Sequence, residues 1–364
     1  MKKFIRRTFL IFNLLAVLLL LVAYLAPVVN PRTFVVPSYL GLAFIYIVVL
    51  NLLFVIIWIF ASKWYFIISL LVLMLGYNVL NRSVPYRTNE TKITEPGAFK
   101  LMSFNVRVFN RYGWTADGDP DDVARFANNQ NPDIICLQEF GVNNRSKTHS
   151  EKAVLRLFSR WKYHYFEFGE PGTSGYRQGL AIFSKYKILR TGKLPDGDND
   201  NFTIYADIEK DNKVIRLFTS HLQSINMSGK EYLVYDILKD PTNSEKVRHE
   251  MGIFRWHMNA AYKQRAVQAQ TYRKYIDASP YPVVVCGDFN DTPVSYAYRK
   301  IKGDLIDTYI ESGNGIGSTY NGPYPLLRID YIFIDKRLTS NDFKRYKVDL
   351  SDHYPISCYI AFKE

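Results

Sequence analysis

The chain has 364 residues and a formal net charge of +12, but this charge is distributed unevenly. Residues 1–92 carry nine Lys or Arg against Glu90 alone, a net charge of +8, which leaves +4 for the rest of the chain. Domains that bind nucleic acid concentrate positive charge on one face, so the sequence gives no support to a strongly basic nucleic-acid footprint. Most of the basicity instead flanks apolar segments.

Three cysteines, Cys136, Cys286 and Cys358, each lie inside an apolar run. A free thiol in such a run behaves as a small hydrophobe. Their odd number and placement do not predict a disulfide framework, and no spacing of Cys and His predicts a structural zinc site.

Three apolar stretches precede residue 90, at residues 9–26, 40–60 and 64–80. Each approaches the length that a helix needs to cross about 30 Å of hydrocarbon. We therefore predict that residues 1–81 form a membrane anchor with two or three transmembrane helices. The third stretch is short and contains Asn78, which leaves open that it lies as a helix against the rest of the protein.

The basic tail before the first stretch has several interpretations. Lys2, Lys3, Arg6 and Arg7 resemble the start of a secretory signal, and the Arg pair resembles a twin-arginine export signal. No small-residue cleavage site is obvious, so we interpret this stretch as a retained anchor. A basic tail stays in the cytoplasm, so three spans would place the rest of the chain outside the cytoplasm and two spans would keep it inside.

Residues 82–97 are polar and contain Pro85, Pro96 and Gly97, which is typical of a linker. From residue 98 to 364, short apolar runs end at Gly, Pro, Asn or Asp and alternate with a few helical stretches. Helices are predicted over residues 120–130, 151–160 and 259–278. Strands are predicted over residues 99–106, 133–138, 162–168, 179–184, 202–208, 213–220, 282–287, 329–334, 343–349 and 355–361.

So many strands with so few helices predict an α/β fold in which two sheets pack face to face and helices cover the outer faces. Residues 225–257 form an extension between two strands that is rich in charged and aromatic residues. We interpret it as a solvated helical surface, with a lid over the substrate or the membrane as the alternative.

Polar side chains that suit metal binding or proton transfer follow several of the predicted strands. A rigid sheet presents such side chains to a cleft at its edge, so we expect them to meet there. The residues are Asn105, Glu139, His221, Asp288, Asn290, Asp330, Asp352 and His353.

Each of these residues can perform one part of the same reaction. Glu139 supplies hard oxygen atoms of the kind that Mg²⁺ prefers. Asp288 and Asn290 stand two apart, so one can hold a water while the other donates to a phosphate oxygen, although the same residues also suit an Asx turn. Asp330 can orient His353 and raise the pKa of its imidazole. Together they indicate metal-assisted attack of water on a phosphate ester.

The order of these motifs resembles the endonuclease/exonuclease/phosphatase superfamily over residues 98–364. The superfamily includes DNase I-like nucleases, abasic-site endonucleases, neutral sphingomyelinases and inositol polyphosphate 5-phosphatases. The resemblance implies a four-layered α/β/β/α sandwich and a Mg²⁺ cofactor, with Mn²⁺ as the alternative.

The resemblance also implies roles for the acidic and amide residues. Glu139 would bind the metal with Asn105 beside it, and Asp352 would lie at or near the metal. Asp288 would activate or position the attacking water, and Asn290 would bind the phosphate.

Two histidines receive roles in the same way. His353, oriented by Asp330, would contact the scissile phosphate or transfer a proton, and His221 would stabilise the pentacovalent state or protonate the leaving group. Arg107 and Arg177 are predicted to bind the substrate. Abasic-site endonucleases have an acidic residue where this chain has Arg107, which weakens a DNA-repair interpretation.

We therefore predict a membrane-anchored, Mg²⁺-dependent hydrolase of phosphodiester bonds that is endonuclease-like. The alternative is a phospholipid or sphingomyelin phosphodiesterase or a phosphoinositide-like phosphatase, since an anchor raises the effective concentration of lipid head groups. A remote alternative is an inactive binding module. The expected partners are a phosphate ester, from nucleic acid or a lipid head group, and a bilayer around residues 9–80.

Overall fold

The computed structural model places a helical N-terminal unit against a two-sheet sandwich. It describes residues 2–61, 63–86, 97–110, 118–170, 175–195, 201–225, 244–322 and 326–363.

The helical unit contains five helices: α1 (Lys2–Ala23), α2 (Val36–Leu42), α3 (Phe44–Phe60), α4 (Phe66–Leu75) and α5 (Tyr77–Ser83). By length and composition, α1 alone is apolar enough to cross a membrane. The helices α2 and α3 meet at a 73° bend and α4 and α5 at a 69° bend, and each pair passes the same test only as one broken span. The described residues thus contain one to three candidate spans.

Polar side chains inside the helical unit define how its helices run. The Asn13 amide donates to Ser69 Oγ at 2.6 Å, and Trp58 Nε1 donates to Asn13 Oδ1 at 2.9 Å. The Asn51 amide donates to the Ala16 carbonyl at 3.1 Å. In this arrangement α3 runs antiparallel to α1, and α4 runs parallel to α1. The N-terminal end of α1 therefore lies at the opposite end of the unit from α2.

The first sheet comprises β1 (Phe99–Asn105), β2 (Ile134–Asn143), β3 (Tyr163–Phe168), β4 (Tyr176–Ser184), β11 (Leu338–Arg345) and β12 (Ile356–Phe362). Its order is β11-β12-β1-β2-β4-β3. The strands β1 and β2 are parallel, with Asn105 opposite Gln138. Because parallel strands end on the same side, the residues that follow β1 and interrupt β2 lie side by side.

The second sheet comprises β5 (Lys187–Lys193), β6 (Thr203–Lys210), β7 (Lys213–His221), β8 (Val283–Asp288), β9 (Ile306–Asp307) and β10 (Asp330–Ile334). Its order is β5-β6-β7-β8-β10-β9. Here β7 and β8 are the parallel pair, with His221 opposite Asp288, and Asp330 of the antiparallel β10 also pairs with Asp288. Three of the predicted site residues are therefore neighbours in one ladder.

Apolar residues from alternate positions of both sheets fill the space between them, and the three cysteines lie in this buried layer. The helices α6 (Pro120–Gln130) and α7 (Glu151–Leu157) cover the outer face of the first sheet. The second sheet is covered by α8 (Ser244–Asp277) and α9 (Tyr296–Lys302), while α10 (Thr308–Ser312) packs beside β11. The predicted four-layered α/β/β/α arrangement is confirmed.

Several predicted boundaries are wrong. The strand predicted at 343–349 is β11, which ends at Arg345, and β5 was missed because its exposed edge lacks apolar alternation. The helix predicted from residue 259 begins at Ser244, and its start was missed because residues 247–257 are exposed or half-buried and carry no apolar periodicity. Of the 225–257 extension, residues 226–243 lie outside the described residues, as do residues 87–96 of the predicted linker.

Candidate active site

Asn105 joins the two sheets at their common edge. Its Nδ2 donates to Glu139 Oε1 at 3.1 Å and to Asp288 Oδ2 at 3.0 Å. Its Oδ1 accepts from the backbone N–H of Arg107 at 3.0 Å. Asn105 is fully buried, so these bonds replace those it would otherwise make with water.

A β-bulge directs Glu139 toward this edge. The pairing of β2 with β4 shifts register between Leu137 and Phe140, and Glu139 has φ 50°. An extra residue in a strand turns a side chain away from the regular alternation. The Glu139 side chain is 21% exposed and lies beside buried Asn105. It is therefore the carboxylate of the cluster that solvent reaches.

Asp288 is the last residue of β8, and residues that follow this strand hold its carboxylate. The backbone N–H of Asn290 donates to Asp288 Oδ1 at 2.8 Å, and Asn290 Nδ2 donates to Asp288 Oδ2 at 3.3 Å and to the Leu222 carbonyl at 3.0 Å. Gly287 has φ 131°, and a Cβ there would lie 2.1 Å from the Ser220 carbonyl oxygen. Only glycine permits this close approach of β8 to β7.

Asp330 and His353 form a buried pair next to Asp288. His353 Nδ1 lies 3.0 Å from Asp330 Oδ2, and His353 Nε2 lies 3.8 Å from Asp288 Oδ2. The hydroxyl oxygen of Thr319 accepts from the backbone N–H of Asp330 at 3.1 Å and fixes the end of β10. The imidazole thus stands between two carboxylates.

This arrangement changes the protonation of the buried groups. Burial opposes the charged imidazole, but the carboxylates of Asp330 and Asp288 raise the pKa of His353 well above its ordinary value. Burial also raises the pKa of Asp288, with the Asp330 carboxylate adding to the effect and the two histidines opposing it. The imidazole of His353 therefore keeps its proton at neutral pH.

His221 faces the same cluster from the end of β7. Its Nε2 lies 3.7 Å from both Glu139 Oε1 and Asp288 Oδ2. Asn201 Nδ2 lies 3.2 Å from His221 Nδ1 and donates to the Leu222 carbonyl at 3.2 Å, which identifies that atom as the amide nitrogen. His221 Nδ1 must then accept, so the neutral ring carries its proton on Nε2, toward the cluster.

Arg265 on α8 holds the loop that follows β8 through hydrogen bonds. It donates to the Asn290 carbonyl at 2.8 Å and to the Gln223 carbonyl at 3.1 Å, and its Nε lies 3.3 Å from Asp291 Oδ2. The predictions missed Arg265 and Asn201. Arg265 had a signal, because it falls on the apolar face of the helix with Ala261. Asn201 had none.

Asp352 reaches the cluster indirectly. Its Oδ2 lies 3.3 Å from Arg107 Nη1, and the backbone of Arg107 bonds Asn105. Arg107 begins a single left-handed turn that extends to Asn110, with φ between 43° and 55°. The metal-binding role of Asp352 and the substrate-binding role of Arg107 stay predictions.

Arg177 makes its described contacts elsewhere. Its Nη2 lies 2.9 Å from Glu151 Oε2, and its guanidinium stacks 4.4 Å from the centre of the Phe168 ring. These contacts do not join it to Asn105 or Glu139, and its substrate-binding role also stays a prediction.

The donor atoms of the edge suit a divalent cation. The carboxylates of Glu139 and Asp288 lie together, since both accept from the Asn105 amide nitrogen, and carboxylate oxygens are ligands that Mg²⁺ prefers. Among the described His, Cys, Asp and Glu residues, one further group has ligand atoms within 4.8 Å of one another: Asp288, Asp330 and His353. The sandwich edge thus contains a possible acidic metal site.

Comparison with known proteins supports the fold. Residues 102–353 match the model of the Endonuclease/Exonuclease/phosphatase family, and residues 6–83 match a model described as a domain of unknown function. A search of curated proteins found no match.

Solved structures of low identity share the architecture. The chain is similar to an endonuclease/exonuclease/phosphatase from Beutenbergia cavernae, with 15% identity over 73% of this chain and 72% of that one and a TM-score of 0.51. It is also similar to the human Nocturnin catalytic domain with a bound sulfate anion, with 16% identity over 74% and 97% and a TM-score of 0.51. Since the family model spans most of the chain and the two-sheet fold agrees with it, the chain belongs to the endonuclease/exonuclease/phosphatase family.

Proposed function

We propose that this chain is a divalent-metal-dependent hydrolase of phosphate esters, held in a membrane by its helical unit, with endonuclease-like cleavage of phosphodiester bonds as its first candidate activity. One observation carries the proposal: side chains from the ends of both sheets converge at one edge. They include Asn105, Glu139, His221, Asp288, Asp330 and His353.

We assign the metal, Mg²⁺ foremost and Mn²⁺ as the alternative, to Glu139 and Asn105, with Asp352 near it. Glu139 is partly exposed, whereas Asp288 and Asp330 are buried, so a hydrated ion can reach it. The imidazole of His353 already compensates Asp288 and Asp330, and Mg²⁺ prefers oxygen ligands, so that group suits the cation less well. When bound, the cation would neutralise charge on the phosphoryl oxygens.

Asp288 is the residue that we assign to the attacking water. Its carboxylate is fixed by Asn105 and Asn290, so a water bound to it would be held in one direction. Burial raises its pKa, which makes the carboxylate a stronger base than one in solvent. Both Nδ2 contacts of Asn290 are made to Leu222 and Asp288, which supports a role in orienting Asp288 besides the predicted phosphate contact.

The two histidines are the proton-bearing groups of the site. His221 carries its proton on Nε2 and can donate to a phosphoryl oxygen or to the leaving group. His353, held by Asp330, stays protonated and offers positive charge. Such preorganised donors stabilise charge that develops in the transition state.

Hydrolysis of a phospholipid or sphingolipid head group is a second candidate, and one observation favours it. The hydroxyl of Thr292, two residues after Asn290, donates to the Gly41 carbonyl of α2 at 3.3 Å. The catalytic edge thus lies at the end of the helical unit, where head groups would be within reach.

The run of the helices also bears on location. If α1, the α2–α3 pair and the α4–α5 pair each cross the bilayer, the basic tail and the sandwich lie on opposite sides. Since basic tails stay in the cytoplasm, the sandwich would be extracytoplasmic. With two crossings it would be cytoplasmic.

The test is hydrolysis by the full chain in detergent, with Mg²⁺ or with EDTA. The panel is plasmid DNA, RNA, sphingomyelin, phosphatidylinositol phosphates and a generic phosphate bis-ester. We expect Mg²⁺-dependent turnover that Asp288→Asn abolishes and that Asp304→Asn, a change of a carboxylate that is 90% exposed, leaves intact. Cleavage of nucleic acid would support the nuclease assignment, and turnover of lipid alone would support the second candidate. No turnover of any substrate, with Mg²⁺ still bound, would refute both and favour a binding module.

A further inference from the structure

The segment that follows the catalytic Asp288 and Asn290 is docked on the helical unit. Val294 is only 2% exposed and packs in one apolar cluster with Ala26 and Phe44. Two residues earlier, the Thr292 hydroxyl donates to the Gly41 carbonyl. Residues 292–294, which we call the docking segment, therefore end against α2.

The backbone of α2 at Gly41 packs directly against the backbone of the docking segment. A Cβ added to Gly41 would lie 2.3 Å from the Val294 carbonyl oxygen and 2.8 Å from the Ala26 Cβ. A carbonyl oxygen in the backbone cannot move aside as the end of a flexible side chain can. The contact thus requires glycine at position 41.

A second route connects α2 to the same loop. Tyr39 donates to Asn259 Oδ1 at 2.8 Å, and its ring meets that of Tyr262 with centroids 5.4 Å apart and planes at 73°. The guanidinium of Arg265 lies 4.7 Å from the centre of the Tyr262 ring and donates to the Asn290 carbonyl. Tyr39 is thus three contacts from Asn290.

The chain that leaves α5 holds the approach to β10. Arg328, two residues before Asp330, donates to the Arg82 carbonyl at 2.9 Å, and the backbone N–H of Gly315 donates to the Pro85 carbonyl at 2.9 Å. Both strand ends that carry Asp288 and Asp330 therefore continue into contacts with the helical unit.

We propose that α2 is a positioning element of the active site, in which Gly41 and Tyr39 hold the loop of Asp288 and Asn290 in its reactive position. This proposal rests on the hydrolase function proposed above. Loops are the least constrained parts of a fold, and a shift of about 1 Å in a catalytic group can lower the rate about 100-fold. The helical unit then supports the active site as well as tethering the protein.

The first experiment compares Gly41→Ala with Gly252→Ala in the full chain in detergent. A Cβ at Gly252 meets nothing within 4 Å, so this glycine is a matched control. We expect Gly41→Ala to lower kcat about 10- to 100-fold while KM changes less than about twofold, because the substrate contacts remain and only the loop position changes. Circular dichroism and gel filtration check that both variants fold. A folded Gly41→Ala with wild-type kcat would overturn the proposal.

A gentler pair of variants serves if Gly41→Ala does not fold. Thr292→Val removes the hydroxyl with little change of volume, whereas Thr292→Ser keeps it. We expect Thr292→Val to lower kcat by about threefold to tenfold and Thr292→Ser to restore it, with KM unchanged. Equal kcat in the two variants would count against the proposal.

A third measurement separates this proposal from the proposed function. A specific protease site replaces residues 89–94 of the full chain, which is then cut in detergent. We expect the sandwich and residues 1–86 to elute together, and conditions that separate them to lower kcat. Separation with unchanged kcat would refute the positioning role. An uncut chain without activity on any substrate would instead be a failure of the proposed function.

Discussion

At the scale of residues, three members of the candidate site are held by neighbours to which no reacting role is assigned. Asn201 sets the proton of His221, Thr319 fixes the strand end of Asp330, and Arg265 holds the carbonyl of Asn290. Partners of this kind are what keep a site within the narrow geometry that catalysis needs. Their substitution should therefore alter rate without removing any reacting group.

Asn201→Ala tests the tautomer of His221. Without the amide that donates to Nδ1, nothing at position 201 holds the proton of the neutral ring on Nε2. We expect kcat to fall about threefold to tenfold, because the ring then carries its proton on Nε2 only part of the time. Asn128→Ala is the control, since Asn128 lies on α6 and its Oδ1 accepts from Arg160. Undiminished kcat in Asn201→Ala would contradict the assignment.

Glu139→Gln tests the metal assignment. The variant keeps the size of the side chain but removes the negative charge beside Asn105. We expect the Mg²⁺ concentration for half-maximal activity to rise about 10-fold or more. Magnesium titration of activity and calorimetric Mg²⁺ binding measure it. An unchanged Mg²⁺ requirement would place the metal elsewhere, with the group of Asp288, Asp330 and His353 as the next site to test.

An ion pair away from the site predicts a dependence of stability on pH. Hydrogen bonds from Arg337 lower the pKa of Asp335 in the turn after β10, against the effect of burial. A lowered folded-state pKa stabilises the fold above the unfolded value near 4, and this contribution is lost as pH falls through the folded value. Asp335→Asn should lower Tm by about 1–2 °C at pH 7, and this difference should shrink below about pH 4. A difference that is constant with pH would exclude the ion pair as its cause.

At the scale of elements, predictability follows the pattern of burial. Strands buried on both faces were found because apolar residues dominate them, as in β1, or form a continuous run, as in β8. The edge strands β5 and β11 carry polar residues on both faces, and β11 contains a bulge with Asp342 at φ 52°, so neither follows a period of two. The strand-end residues were found from their motifs.

The contacts between elements could not be predicted from the sequence. Asn201 and Arg265 reach the site through pairings between segments distant in the chain, and no local pattern records such proximity. The docking of Gly41 on the loop of Asn290 is of the same kind, because a glycine in an apolar stretch carries no sign of its partner.

The polar contacts within the helical unit predict its stability. Asn13 on α1 bonds both Trp58 on α3 and Ser69 on α4, so one side chain ties three helices. Asn13→Ala should destabilise the unit by about 1–2 kcal/mol, because two interhelical hydrogen bonds are lost and each contributes about 0.6 kcal/mol on average in a membrane bundle. Thermal unfolding in detergent measures the loss. Thr8→Ala is the control, since the hydrogen bond that the structure describes for Thr8 is to the Phe4 carbonyl of its own helix, and equal effects of the two changes would refute the argument.

At the scale of the whole molecule, the helical unit and the sandwich form one continuous body. The apolar cluster of α1 and α3 includes Val294, and hydrogen bonds at Tyr39, Gly41 and Arg82 connect the two parts. A motion of the helical unit would therefore displace the candidate site at the sheet edge, because rigid elements transmit displacement to the loops packed on them.

Single cysteines at the two ends of the molecule test the topology. Lys3→Cys lies in the basic tail, and Asp304→Cys lies at an exposed site of the sandwich. With three crossings we expect a membrane-impermeant maleimide to label Asp304→Cys in intact cells and Lys3→Cys only after permeabilisation. Labelling of both positions from the same side would establish an even number of crossings.

The burial of Cys136, Cys286 and Cys358 makes such labelling clean. All three are free and enclosed between the sheets, and burial raises the pKa of both Cys136 and Cys358. Maleimides and oxidants react with exposed thiolates, so the folded wild-type protein should be silent to them. An engineered surface thiol would therefore report its own position without removal of the native three cysteines.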